Sequence, residues 1–483
     1  MSNLSDLLPA GAGGKQFSFT ASGAISQGDS VILNGDGTVS TPTNQSAGVS
    51  SPASLQNDID STATIYDASE DRFVTAFRNR ASSNRIEVRA GSLSGTTITW
   101  GTAQTSNNDN DQNVRIAGDN NGGFVVLFEN TSDGHQYAVA GTVSGSTITL
   151  GTASKFTTSS YGFKDIAYDA NAGKYVIVFI DNTNSLYGTA VVATVTGTSI
   201  SFGSDVVFHS STVLYSMRCT YDSTNQKVIA VDSFSKFSGF IGTVSGTSTS
   251  WSSEYDVSGQ GAPQVFSGVD VSGITYDPDQ EAVVFVFCDK DDSERGKVCV
   301  GSLTSTAITW GSVTAIDTSD KMADFGVAYD TVAKKVVIAG DYGDVSKTGR
   351  YVVATISGNS VSFSSLTQFE SGESQGLSAA FSTAGLKTAI TYNDQGDSDN
   401  GKYVVQSNAI QNYTDFIGIA DAAISDTASG NITIKGGIST NVSGLTPNSI
   451  YYVQANGTLS TTSSSVTAGK ALSATSINLD YSS

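Results

Sequence analysis

One phrase recurs along this chain. YDASEDRFVTAF begins at Tyr66, YDANAGKYVIVF at Tyr168, YDSTNQKVIAV at Tyr221, YDPDQEAVVFVF at Tyr276 and YDTVAKKVVIAG at Tyr329. Two degenerate copies, GDNNGGFVVLF at 118 and FSTAGLKTAITY at 381, bring the spacing of successive marks to 50–55 residues throughout. A second mark keeps fixed phase with the first: GSLSGTTITWG at 91, GTVSGSTITLG at 141, ATVTGTSISFG at 193, GTVSGTSTSWS at 242, GSLTSTAITWG at 301 and ATISGNSVSFS at 354. Two marks in phase at a period near 50 define a repeat array, and periods of this length belong to propellers, solenoids and related assemblies.

Each unit divides into four strands. In the third copy they read FKDIAYD (163–169), KYVIVFID (174–181), YGTAVVATV (187–195) and SISFGSDVVF (199–208). The turns fall where Asp, Asn and Gly cluster, since short polar side chains bond the backbone and Gly accepts positive φ. The second strand is the informative one. KYVIVFID, EAVVFVFC and KKVVIAGD are almost continuously apolar, and a strand buried on both faces does not alternate. A small sheet covered on both faces must lie between two others like itself. Seven of them set radially around an axis satisfy this, so the expected fold is all-β, a seven-bladed β-propeller over 46–410. The last unit ends at KYVVQSNAI (402–410) with no following hairpin, and residues 44–56 are the expected source of its missing outer strand.

Composition supports this reading. The 50 Gly and the Ser/Thr/Val-rich stretches favour strands and tight turns, and 38% hydrophobic residues suffice for cores. A net charge of −20 argues against nucleic-acid partners. The opening MSNLSDLLPAGAGGK has no basic-then-apolar pattern, so no signal peptide is expected, and no apolar run approaches a membrane span. Cys219, Cys288 and Cys299 are expected to be buried thiols.

The flanks, 1–45 and 411–483, resemble each other. SGAISQGDSVILNGDGTVS (22–40) and SGLTPNSIYYVQANGTLS (443–460) both read as strand, Asp-Gly or Asn-Gly turn, strand. They are expected to build one small β module for attachment or oligomerisation.

Sites for chemistry are sparse. His135 and His209 sit at unrelated positions of different repeats and read as solvent-facing loop residues. No zinc or phosphate-loop pattern occurs, so neither metal nor cofactor is expected. Three acidic loops, NNDNDQN (107–113), DKDDSER (289–295) and NDQGDSDNG (393–401), gather oxygen atoms that a ligand or calcium would accept. They supply the binding candidates Asp109, Asp111, Asp289, Asp291, Asp292, Asp397 and Asp399; solvated turns are the alternative. The recurrent Asp67, Asp169, Asp222, Asp277 and Asp330 read as turn caps, needed once per repeat. Trp100 and Trp310 are expected to fill gaps between blades. No carboxylate stands out at a non-repeating position beside an Arg or Tyr cluster, so the chain is expected not to be an enzyme.

The opening NLSDLLPAGAGGKQFSF with GDSVILNGDGTVS, the ending FIGIADAAISD…GNITIKGGI…SGLTPNSIYYVQANGTLST…TAGKALSATSINL and the repeat itself resemble structural proteins of tailed bacteriophages, particularly tail-fibre and virion proteins of marine phages. The resemblance implies a virion location after assembly in the host cytoplasm. It also implies contacts with other virion proteins, trimer formation and adsorption to a host-surface glycan or protein. A glycan-cleaving propeller and a purely structural capsid-fibre or tail-nozzle part are the alternatives.

Overall fold

The computed structural model describes residues 15–479 apart from 107–109, 161–162, 214–215, 234–236, 258–271 and 344–346. Strands dominate it, and among the described residues no helix is long and apolar enough to cross a membrane. The chain falls into two compact units, Gly48–Ser407 and the pair Met1–Ala47 with Asn408–Ser483.

In the larger unit seven antiparallel sheets follow one another among the described residues, the sixth and seventh joined into one nine-stranded sheet because Thr367–Ser382 pairs with both Thr348–Ser357 and Lys387–Asp394. Their first strands are Ile59–Asp67, Asp111–Gly118, Lys164–Asp169, Ser216–Asp222, Ser272–Asp277, Met322–Asp330 and the later part of Thr367–Ser382. Within each sheet the order is sequential, and the second strand is the buried one: Ala282–Asp289 is buried at every position. Such strands have apolar side chains on both faces because a neighbouring sheet covers each face. The cores lie between sheets. Val74, Ala76 and Val88 of the first sheet pack with Val126 and Phe128 of the second. Val125 and Leu127 pack with Ile177 and Phe179 of the third. The series continues until Ala389, Tyr403 and Val405 of the seventh pack against Phe73, Phe77 and Ile98 of the first. That last contact makes the order cyclic, and Tyr403 fixes it by accepting from the backbone N–H of Ile98 at 2.9 Å. This is a β-propeller.

The seventh sheet borrows its outer strand from the start of the unit. Gly48–Val49 and Ala53–Gln56 pair antiparallel with Asn400–Ser407, as expected from the unit that lacked a hairpin. The fourth strand departs from expectation. SISFGSDVVF is two strands, Ser199–Phe202 and Val206–Thr212, which pair with opposite ends of Tyr187–Thr196. Gly203 marks the break: a Cβ there would lie 1.8 Å from the Thr247 carbonyl oxygen in the hairpin of the next sheet. Gly151 meets Thr198 and Gly311 meets Asn359 in the same way. Where a glycine follows an ITW-type run it therefore admits its neighbour's hairpin, a packing requirement invisible from one repeat.

The recurrent Asp residues cap their own turns. Asp169 Oδ1 accepts from Asn171 and Ala172 N–H, Asp222 Oδ1 from Thr224 and Asn225, and Asp330 Oδ1 from Val332 and Ala333. Tyr276 and Tyr329, each beside its Asp, reach the preceding sheet instead. Tyr276 donates to Thr224 Oγ1 at 2.7 Å and Tyr329 to Asp279 Oδ2 at 2.6 Å. Trp310 stacks edge-on against Phe237 of the preceding sheet, and Trp100 against Tyr403, as gap fillers should. Cys288 and Cys299 are buried free thiols, pushed up to about 12 by burial. Their register explains this: Cys288 faces Gly296 and Cys299 faces Phe285.

The smaller unit is built from both chain ends. One sheet pairs Gln16–Thr20 with Ser429–Ile434, then Phe416–Ala420, then Ser30–Leu33 and Val39–Ser40. A second sheet comes from Ile438–Asn478. The two resembling hairpins share one turn. Asn34 N–H bonds Thr38 O at 2.9 Å and Gln454 N–H bonds Thr458 O at 2.8 Å, with Gly37 and Gly457 at φ +85° and +80°. In each, the threonine hydroxyl donates to the preceding Asp36 or Asn456 at 2.7 Å.

Candidate functional site

The first strands of the seven sheets line a common cavity of about 270 Å³. Strand register places one residue from each at the same level, three before the recurring tyrosine position: Ala63, Arg115, Asp165, Arg218, Gly273, Gly326 and Ser378. The residue at this level does not recur from sheet to sheet. Three consecutive sheets contribute Arg, Asp and Arg, whereas the other four contribute Ala, Gly, Gly and Ser, whose small side chains leave the space open.

The charged side chains are held in place. Arg218 is buried, its Nε donating to Ser272 O at 2.8 Å and its Nη1 to Met217 O at 2.9 Å. Arg115 is half-buried and donates Nη1 to Val114 O. Asp165 accepts from the N–H of Cys219 at 3.0 Å across the sheet boundary and from Ile166 at 3.0 Å. Its side chain lies deep in the protein yet retains some exposure to the cavity. Burial pushes the Asp165 carboxyl above the usual range; the Arg218 and Arg115 guanidiniums and its two N–H donors oppose this without cancelling it. The same burial, with the Asp165 charge adding to it, holds the Cys219 thiol high.

At its tyrosine end the cavity widens into a second one of about 420 Å³, sharing Thr64, Ile65 and Ala379 with the first. Tyr66, Tyr221, Tyr276, Tyr329 and Phe381 line it. Tyr276, Tyr329 and Phe381 are buried there, and Tyr66 and Tyr221 are the partly exposed rings of that wall. A carboxyl with a raised pKa also supplies half of the pair that acid/base cleavage of a glycosidic bond uses. Asp165 is the one carboxylate lining that cavity among the described residues.

In the acidic loops Asp111, Asp289, Asp292, Asp397 and Asp399 have partners within the chain. Asp109 lies outside the described residues. Asp111 is buried and accepts from Ser106 Oγ and Asn130 Nδ2. Asp289 caps a short 3-10 turn through the N–H of Asp291, while its other oxygen and Asp292 hold Lys297 Nζ at 2.8 and 2.7 Å. Asp291 is exposed. In the seventh sheet Lys402 Nζ lies 2.5 Å from Asp394 and 3.1 Å from Asp397, with Glu370 at 3.8 Å. Asp399 pairs with Arg80. In DKDDSER and NDQGDSDNG an ammonium from the chain thus sits among the carboxylates, and no group of three or more side chains that could hold a metal is found among the described residues.

His209 is not a loop residue: it lies in Val206–Thr212, with Nδ1 2.7 Å from Asp232 Oδ2 and its ring against Phe240. His135 begins a strand, and its N–H donates to Asp133.

No protein-family model matches the chain, and no curated protein matches it. Solved structures do. A sialidase from Streptococcus pneumoniae is 11% identical, with a TM-score of 0.41 over 77% of this chain and 71% of that one. The Aleuria aurantia lectin, in complex with Fucα1-6GlcNAc, is 10% identical, with a TM-score of 0.40 over 64% and 96%. The β-propeller domain of the trilobed protease from Pyrococcus furiosus is 8% identical, with a TM-score of 0.43 over 75% and 99%. At these identities the likeness concerns the propeller fold alone. It nevertheless corrects one expectation. The same architecture occurs in a sialidase and in a domain of a protease, so the fold gives no ground for excluding an enzyme. Asp165 is moreover the non-repeating carboxylate beside arginines that the sequence reading did not find.

Proposed function

We propose that the chain is a structural protein of a tailed-phage particle, a tail fibre or related appendage, whose propeller engages a glycan on the host surface. The observation that carries the reading is the pairing of Gln16–Thr20 with Ser429–Thr433. The segments that resemble virion proteins come together as one module, and the propeller is inserted between them. An attachment module bearing an inserted, loop-rich ring suits an appendage, because loop sequence varies without disturbing sheet packing. The module is the part that would meet other virion proteins or further copies of the chain in a trimer. Weak glycan affinity per copy then sums over many copies.

A second reading, a glycan-cleaving appendage, is favoured by Asp165. One experiment separates the readings. Purified protein is mixed with surface polysaccharide from candidate host bacteria, and both retention and chain length are measured, alongside blocking of phage adsorption. Retention with unchanged length and blocked adsorption supports the appendage reading, and shortened chains support cleavage. Absence of retention and of blocking refutes both and leaves a capsid-fibre or nozzle part. Labelling particles with an antibody to the propeller locates the protein.

A further inference from the structure

We propose that the smaller unit carries a site for a neutral saccharide, in a cavity of about 520 Å³ built from both chain ends. The site lies outside the propeller, so the proposal goes beyond the reading above and stands whether or not the propeller binds a glycan. Segments 27–30 and 41–42 from the start of the chain enclose the cavity with 441–445, Tyr451 and 456–459 from its end. Two close approaches fix the walls. A Cβ on Gly28 would lie 2.3 Å from the Asn441 carbonyl oxygen, and one on Gly457 would lie 3.1 Å from Pro42 Cδ. Each turn is thus seated against a segment from the opposite end of the chain. Ser30, Leu445 and Tyr451 are buried, whereas Gln27, Ser443, Asn456 and Thr458 are exposed. The cavity has a closed back and a polar rim.

The lining narrows the ligand. Asp29 is its single charged residue, so nothing there neutralises an anion. The Asp29 carboxylate accepts from Ser26 N–H through Oδ2 at 2.8 Å, and a carboxylate has room for about four such bonds. Gln27 Nε2 is held by Asn441 Oδ1 at 3.0 Å and by the Asp421 carbonyl at 3.1 Å, which orients its amide before a ligand arrives. Amides and hydroxyls are contributed by every segment of the wall. An ammonium would need one cluster of acceptors; a ring with hydroxyls around its edge meets groups on several sides. Ser30 is an independent sign of a ligand. It is 3% exposed, and its Oγ has no hydrogen-bond partner among the described residues. A buried hydroxyl left unpaired costs stability, and a ligand hydroxyl would complete it. Leu459, half-buried, adds an apolar patch for the C–H face of the ring. The volume falls within the roughly 300–1,000 Å³ of small-molecule sites.

The test is ligand-observed NMR and calorimetry on the full-length protein. D-glucose, D-galactose and D-mannose are the neutral probes, D-glucuronate the anion and methylammonium the cation. At least one hexose is expected to bind, with glucuronate about tenfold or more weaker than the best hexose because Asp29 repels it. Ser443→Trp sets a large ring at the exposed rim and is expected to abolish hexose binding. Ser30→Ala is expected to weaken it about threefold or more without lowering the melting temperature of the free protein, since the hydroxyl removed has no partner to lose. Failure of all three hexoses to bind overturns the proposal, as does methylammonium or glucuronate binding more tightly than every hexose. Hexose binding unchanged in Ser443→Trp also overturns it and leaves the propeller reading intact. Should that variant fail to fold, an unchanged affinity in Ser30→Ala has the same force. Hexose binding lost in Ser443→Trp, in a protein that retains no polysaccharide, supports this site and overturns the propeller reading alone.

Discussion

Ile25 and Ile424, from opposite ends of the chain, exchange both backbone hydrogen bonds: Ile25 N–H to Ile424 O at 2.9 Å and Ile424 N–H to Ile25 O at 2.8 Å. The surroundings repeat with the roles exchanged. Gly28 N–H bonds Ala420 O and Ala420 N–H bonds Asp29 O, while Ala21 N–H bonds Ala428 O and Thr427 N–H bonds Ala21 O. Both side chains are buried in one cluster with Val31, Val39, Ile432 and Ile434.

Ile25→Ala and Ile424→Ala are each expected to destabilise the terminal unit by about 2–5 kcal/mol, the range for truncating a buried isoleucine. Because the two share a cluster, the double variant should cost less than the sum of the singles. Urea unfolding of the three variants checks this.

Tyr329→Phe removes a hydroxyl that donates to Asp279, a carboxylate also held by Lys334 at 2.7 Å. A hydrogen bond to a charged group contributes about 1.5–3 kcal/mol, and partial exposure places this one near the lower end. Tyr66→Phe serves as the contrast, since Tyr66 donates to Asp71 of its own turn. Thermal melts of the two variants should show the larger loss for Tyr329→Phe, which unlatches neighbouring sheets.

Lys402→Met leaves Asp394 and Glu370, both largely buried, without their cation. Removing one partner of such a pair costs on the order of 2–4 kcal/mol when the ammonium is partly solvated. Calcium should restore part of the loss, since three carboxylates then face an empty position. Melting temperatures with and without calcium test this, the native protein being expected to show no shift.

Asp341 provides the pH dependence. Burial raises its carboxyl to about 6, with Lys347 pulling down and Glu373 pushing up. The native state therefore holds this proton more tightly than the unfolded chain, and stability falls as pH rises from about 4 to about 6. Asp341→Asn removes that window and should stabilise the protein at pH 7 by on the order of 2 kcal/mol. Denaturation midpoints of both proteins from pH 4 to 8 decide it.

The repeat was legible because each sheet obeys the same local constraints. An apolar second strand needs cover on both faces, and a capping Asp is needed at each turn. The borrowed strand was legible by subtraction, since the seventh unit lacked an edge. What escaped the sequence reading escaped for physical reasons. Lys297 and Lys402 each lie eight residues after the Asp they neutralise, across a hairpin, so DKDDSER and NDQGDSDNG looked like unoccupied oxygen clusters. Asp232 meets His209 only because Val206–Thr212 is a separate strand. Arg115, Asp165 and Arg218 were visible as departures at one repeat position, in NVRIAGD, FKDIAYD and SMRCTYD. Attention to what recurs hid them.

The borrowed strand fixes an order of events. Gly48–Gln56 emerges early from the ribosome but finds its partner only when Asn400–Ser407 has been made. Gln16–Thr20 waits longer still, for Ser429–Thr433. In each pair the segment made first is seated last, so a nascent chain carries open strand edges until Asn400–Ser407 and then Ser429–Thr433 have been made, and a product truncated before them cannot close.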